Sequence, residues 1–150
     1  MLREQGEFGE QNRRAEWNAS ITPQEAADAI KKHFDDFAIE MPFDAKVFRG
    51  VQSATHLGSV QVGTVMRDKG LASCSTLESV AREWADGAHS VPAIIEIHVP
   101  RGTKVWCPPN PFKEQEVTLA PNTALKVKEV VETTDKYGQV LKIVAEVIND

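Results

Sequence analysis

Two carboxylates, Glu114 and Glu116, stand at the join between the stretch Pro108-Pro109-Asn110-Pro111-Phe112-Lys113 and the apolar run Val117-Thr118-Leu119. Three prolines and an asparagine predict a rigid surface loop, and the run that follows predicts a strand. If residues 114–119 are extended, side chains two apart share a face and both carboxylates look the same way. Like charges so placed cost stability unless they are solvated or used in chemistry. Two further polar pieces end predicted strands: Arg49 in Lys46-Val47-Phe48-Arg49-Gly50, and the cluster Ser73-Cys74-Ser75. A guanidinium holds phosphate oxygens bidentately, and a short hydroxyl can fix the rotamer of a carboxylate. Taken singly, each piece also has an ordinary reading as a surface arginine, a turn or a solvated loop edge.

The elements that must position these residues follow from pattern and punctuation. Thr22-Pro23 with Glu25 predicts a capped helix to about Phe37, its apolar face made of Ala26, Ala29, Ile30, His33 or Phe34, and Phe37. Strands are expected at 46–50, weakly at 62–66, at 71–75, at 93–99, at 103–107, at 116–119, at 124–131 and at 140–147. A helix capped by Thr76, with Val80, Ala81, Trp84 and Ala85 on one face, is expected to end at Gly87. Strands crowded into the second half after a helical start predict an α+β domain with segregated elements. The first 20 residues, rich in Glu, Gln, Arg and Asn, read as a loosely docked arm, with one catalytic-sized domain over 21–150.

With 150 residues, 41% hydrophobic and 26% charged, the chain has an ordinary globular composition. A net charge of -5 favours small molecules or proteins over nucleic acid or anionic lipid as partners. No apolar run has the length of a membrane span, and residues 1–6 lack the apolar core of a signal peptide, so a cytoplasmic, monomeric protein is expected. Cys74 and Cys107 lack metal-ligand spacing and are expected to be free thiols used in packing. The four histidines are scattered, and no metal is expected.

In their order and spacing over about residues 46–131, these pieces resemble the mono-ADP-ribosyltransferases of the arginine, serine, glutamate class, a group of bacterial toxins, phage enzymes and arginine-specific transferases. Val47-Phe48-Arg49-Gly50 is similar to the family strand ending in arginine, and Leu71-Ala72-Ser73-Cys74-Ser75 to its aromatic-x-Ser-Thr-Ser strand. Val99-Pro100-Arg101-Gly102-Thr103 is similar to the turn before the active loop, and Glu114-Gln115-Glu116-Val117-Thr118-Leu119 to the Glu-x-Glu strand. Leu71 stands where the family has an aromatic, and Cys74 where it has threonine.

The resemblance implies an ADP-ribosyltransferase-like fold: a split, mixed and antiparallel β-sandwich with an N-terminal helix and one inserted helix. It implies NAD as a consumed substrate, and an acceptor arginine on a target protein. Glu116 would stabilise the cationic ribose, Arg49 hold the phosphates, and Ser73 orient Glu116. Glu114 would serve the acceptor guanidinium, with Phe112 in the acceptor-recognition loop. Gly50, Ser75 and Trp84 complete the expected nucleotide-contacting set, Trp84 by stacking on nicotinamide or, equally, by anchoring its helix. An NAD glycohydrolase and an inactive binding module, for instance in a phage particle, are the alternatives.

Overall fold

The computed structural model describes residues 22–52, 54, 59–67, 72–85, 91–108 and 115–148. The chain divides into two compact units, residues 1–38 and 39–150. In the first unit, helix α1 (Pro23–Phe37) begins at the expected capping box. Glu25 N–H donates to Thr22 Oγ1 at 3.1 Å, and Thr22 N–H donates back to Glu25 Oε1 at 3.2 Å. Lys31–Asp35 and Lys32–Asp36 pairs, four apart and solvated, line its polar side. Of the expected apolar face, Phe34 is buried while Phe37 stays exposed.

Among the described residues, the second unit holds a nine-stranded sheet and one α-helix. Its strands are β1 (Ile39–Glu40), β2 (Ala45–Val51), β3 (Val65–Arg67), β4 (Ala72–Ser75), β5 (Ala93–Val99), β6 (Lys104–Trp106), β7 (Glu116–Leu119), β8 (Ala124–Asp135) and β9 (Gly138–Ile148). Helix α2 (Glu78–Ala85) is inserted after β4. The spatial order is β1-β6-β7-β4-β2-β5-β9-β8-β3. Among the described strands, β5 and β9 pair in parallel and the other pairs are antiparallel.

The expected split is visible in the pairing. β2 and β5 are matched over seven residues, whereas β2 and β4 meet at the single pair Phe48↔Ser75. That one pair joins a four-stranded antiparallel group to a five-stranded mixed group, so the strands form one continuous sheet with a narrow waist.

Strand alternation sorts the side chains into two clusters. Val47, Cys74, Ile95, Ile97, Val105, Val117, Leu119, Val127 and Ile143 belong to the main core, while Ile94 and Val140 pack with Ala81 and Ala85 of α2, joined by Phe48. Cys74 is fully buried in that core, so the departure from threonine falls on an apolar position, which suits a small thiol. Cys107, expected to pack, is exposed.

Glu96 and His98 lie on the face of β5 away from the main core, with His98 Nε2 2.9 Å from Glu96 Oε2. The hydrogen bond from His98 holds the Glu96 carboxyl below its ordinary range, with Lys46 and Lys142 adding to the effect against partial burial. A carboxyl depressed by folding stabilises fully above its unfolded pKa, about 4.3, and loses that contribution as pH falls through the folded value. The urea midpoint is therefore expected to drop between about pH 5 and 3, and Glu96→Gln to flatten part of the drop. A wild-type slope unchanged by Glu96→Gln would refute it.

Candidate active site

The site begins at the backbone of Gln115, the residue between the two carboxylates. Gln115 has φ +50°, in the left-handed region, and β7 starts only at Glu116. A side-chain-bearing residue there costs about 1 kcal/mol, and such strain persists only where neighbours enforce it. Here they do: Thr76 N–H donates to Gln115 O at 3.1 Å, and Thr76 Oγ1 donates to Gln115 Oε1. This corrects the expectation of an extended 114–119. The alternation of β7 starts at Glu116, after the kink at Gln115. Glu114 and Phe112 themselves lie outside the described residues.

The same clasp corrects the expected cap of α2. Thr76 spends its hydroxyl on Gln115, while Ser75 Oγ accepts from Leu77 N–H at 3.0 Å, and Leu77 O accepts the first helical bond from Ala81 N–H. Gly87, the expected helix end, lies outside the described residues, and α2 is described to Ala85.

From Glu116 the strand register builds the rest. Glu116 pairs with Ser75, and Thr118 with Ser73, across β7 and β4. These four side chains share one face, the face opposite Cys74 and Val117. Glu116 is 3% exposed and Thr118 and Ser75 are fully buried. A carboxylate placed so deep needs hydrogen-bond donors. Thr118 Oγ1 lies 3.4 Å from Glu116 Oε2, donating to it along the same strand. Ser73, the expected orienter, stands diagonal to Glu116, a position from which long side chains still meet. Thr118 was not singled out in the sequence; its only signal there was a hydroxyl two residues after a glutamate in a predicted strand.

Arg49 lies on β2, the strand next to β4, one residue beyond the waist pair Phe48↔Ser75. It is matched with Ile95 on β5, so it leaves β2 on the main-core side, whereas Phe48 and Gly50 face α2. One terminal nitrogen of its guanidinium is buried. The structure thus brings Ser73, Ser75 and Glu116 onto one face and sets Arg49 on the adjacent strand, at the point where pairing with β4 stops.

Gly50 is matched with Ile94, and a Cβ on it would lie 1.9 Å from Ala81 O. Its missing side chain lets the α2 backbone rest directly on β2. Ala81 and Ala85 seat that helix, and Trp84 is half-buried beside them.

Among the described residues, two clefts open elsewhere. One of about 500 Å³ lies between Pro100–Lys104 and Ala120–Ala124, and one of about 370 Å³ lies against residues 132–134 and 139–141. Neither is lined by Arg49, Ser73 or Glu116. Among the described residues, no helix is long and apolar enough to cross a membrane, and no cluster of three or more His, Cys, Asp or Glu could hold a metal.

No family model matches the chain, and no curated protein does. Solved structures do. Plx2a, an ADP-ribosyltransferase toxin from Paenibacillus larvae, superposes with a TM-score of 0.67 at 16% identity, over 87% of this chain and 74% of the toxin. C3stau2 from S. aureus, solved with NAD, gives 0.63 at 17% identity over 85% and 71%. Vis toxin, an ADP-ribosyltransferase from Vibrio splendidus, gives 0.62 at 18% identity over 84% of this chain and 57% of Vis. This is the ADP-ribosyltransferase toxin fold.

In this ADP-ribosyltransferase fold Ser75 forms the waist pair with Phe48, Arg49 stands one residue beyond it on β2, and Glu116 lies one strand further. The pieces of the arginine, serine, glutamate set therefore lie on three consecutive strands, β2, β4 and β7, although 67 residues of chain separate the first from the last.

Proposed function

We propose that the chain transfers ADP-ribose from NAD to an arginine side chain of a target protein, releasing nicotinamide. The observation that carries the reading is Glu116: a carboxylate 3% exposed, at the first residue of β7, with the Thr118 hydroxyl beside it and two serines across from it. A fold bears the desolvation of such a group where its charge has work to do. Cleavage of the bond between ribose and nicotinamide develops positive charge on the sugar, and NAD supplies that bond.

Glu116 stabilises the cation as it forms. Ser73 and Thr118 hold its carboxylate in one rotamer. Arg49 takes the phosphates, for which a planar fork of donors is suited. Glu114 acts on the acceptor, whose guanidinium stays protonated and needs a neighbouring carboxylate to become nucleophilic. Support for NAD comes from C3stau2, solved with NAD, and support for arginine from Vis, solved with agmatine, which carries the guanidinium of arginine.

The test uses NAD with agmatine, and separately with a cell extract, followed by mass analysis. Nicotinamide release together with ADP-ribosylated agmatine or protein arginine is expected. Glu114→Gln is expected to lose acceptor labelling while nicotinamide release persists. Labelling confined to other residue types would overturn the arginine assignment; release without any labelled acceptor would make water the acceptor; and no release would end the reading.

A further inference from the structure

Helix α2 touches both halves of the candidate site. The segment leading into it is joined through Thr76 to Gln115, the residue before Glu116 and β7, and its middle rests on Gly50, one residue after Arg49. Further along, the helix is anchored by Arg82, in its last turn.

Arg82 is only 6% exposed. Its Nε and Nη2 donate to the two carboxylate oxygens of Asp135 at 2.7 and 3.2 Å, and its guanidinium lies 5.1 Å over the ring of Tyr137. A fork closed on a carboxylate fixes orientation as well as distance, and the ring contact adds a cation–π attraction. Asp135 Oδ1 also accepts from Tyr137 N–H at 2.8 Å, so one carboxylate organises both the β8–β9 turn and the helix. A further tie along α2, Lys142 to Glu78 at 3.2 Å, is solvated and correspondingly weak.

We propose that Arg82 is a positioning residue: through α2, its pairing with Asp135 sets the placement of Glu116 relative to Arg49. The kinetic consequence rests on the proposed function, but the mechanical one does not.

The experiment compares Asp135→Asn, Thr76→Val and the double variant, at a temperature well below unfolding. It measures steady-state nicotinamide release and amide hydrogen exchange over 78–85 and 116–119. Asp135→Asn is expected to lower kcat by about tenfold or more, since small misplacements far from the chemistry have effects of that order. Arg82→Lys, which keeps the charge without the fork, is expected to be intermediate. Thr76 holds the segment entering α2 and Asp135 holds its last turn, so independent effects would multiply; action through one helix leaves the double variant within about twofold of the worse single.

In Asp135→Asn, exchange is expected to quicken from the turn through α2 into β7. Unchanged kcat in the folded variant, multiplying effects, or faster exchange confined to the β8–β9 turn would each overturn the proposal. If Asp135→Asn does not fold, Tyr137→Leu removes the ring contact alone and is expected to show the same pattern with smaller size. If wild type releases no nicotinamide, the proposed function falls, and the exchange map alone decides this one.

Discussion

Glu116→Gln leaves the protein folded and lowers nicotinamide release by about a thousandfold, with acceptor labelling falling in step. The substitution keeps the shape of the side chain and keeps an oxygen able to accept the Thr118 hydroxyl. What it removes is the negative charge, and only the charge stabilises a developing sugar cation. The stability consequence has the opposite sign. At 3% exposure the carboxylate is a costly group to bury, so an amide in its place is expected to be neutral or slightly stabilising. Activity and melting temperature together therefore test the assignment. A variant that loses activity with an unchanged or raised Tm supports it, whereas retained activity, or activity lost only in proportion to unfolding, would sink it.

Gly50→Ala is expected to be the most damaging single-methyl change in the second unit. The added Cβ would stand 1.9 Å from Ala81 O, 2.9 Å from Ala81 C and 3.0 Å from Ala85 N. These are helix backbone atoms, not the flexible end of a side chain, so α2 itself must move away. Overpacking of this kind costs about 3 kcal/mol, which for a chain of this size lowers Tm by roughly 6–12 °C. Because the segment entering α2 is clasped to Gln115 through Thr76, the displacement also reaches the strand bearing Glu116. The rate of nicotinamide release should fall in the remaining folded protein, not merely in proportion to unfolded material. Calorimetry and single-turnover assays check the two parts, and a Tm within about 2 °C of wild type would show that the helix accommodates the methyl at little cost.

Much of the fold could be read from local signals. The capping box of α1 and the strands expected at 46–50 and 93–99 each rest on signals within a few residues, and each appears where expected. β8 runs four residues past the expected end, because Glu132–Asp135 is polar on both sides and its strand character comes from pairing with β9. β1 is only two residues long and has no pattern of its own; it exists because Ile39 and Glu40 meet Val105 and Lys104. The same division runs through the candidate site. Arg49, Ser73 and Glu116 stood out as polar residues at the ends of apolar runs, a contrast visible along the chain.

The sequence by itself determined the elements, their amphipathic faces and the residue types able to act on a charged sugar and its phosphates. These are set by side-chain chemistry and short-range spacing. The tertiary structure alone decided how those types are combined. It placed Thr118 against Glu116, turned Gln115 into a left-handed kink held by Thr76, seated α2 on a glycine and fastened it through Arg82 to a turn 53 residues away. Each depends on register between strands or on the close approach of backbones distant in sequence, and such contacts leave no periodic trace in the residues that make them.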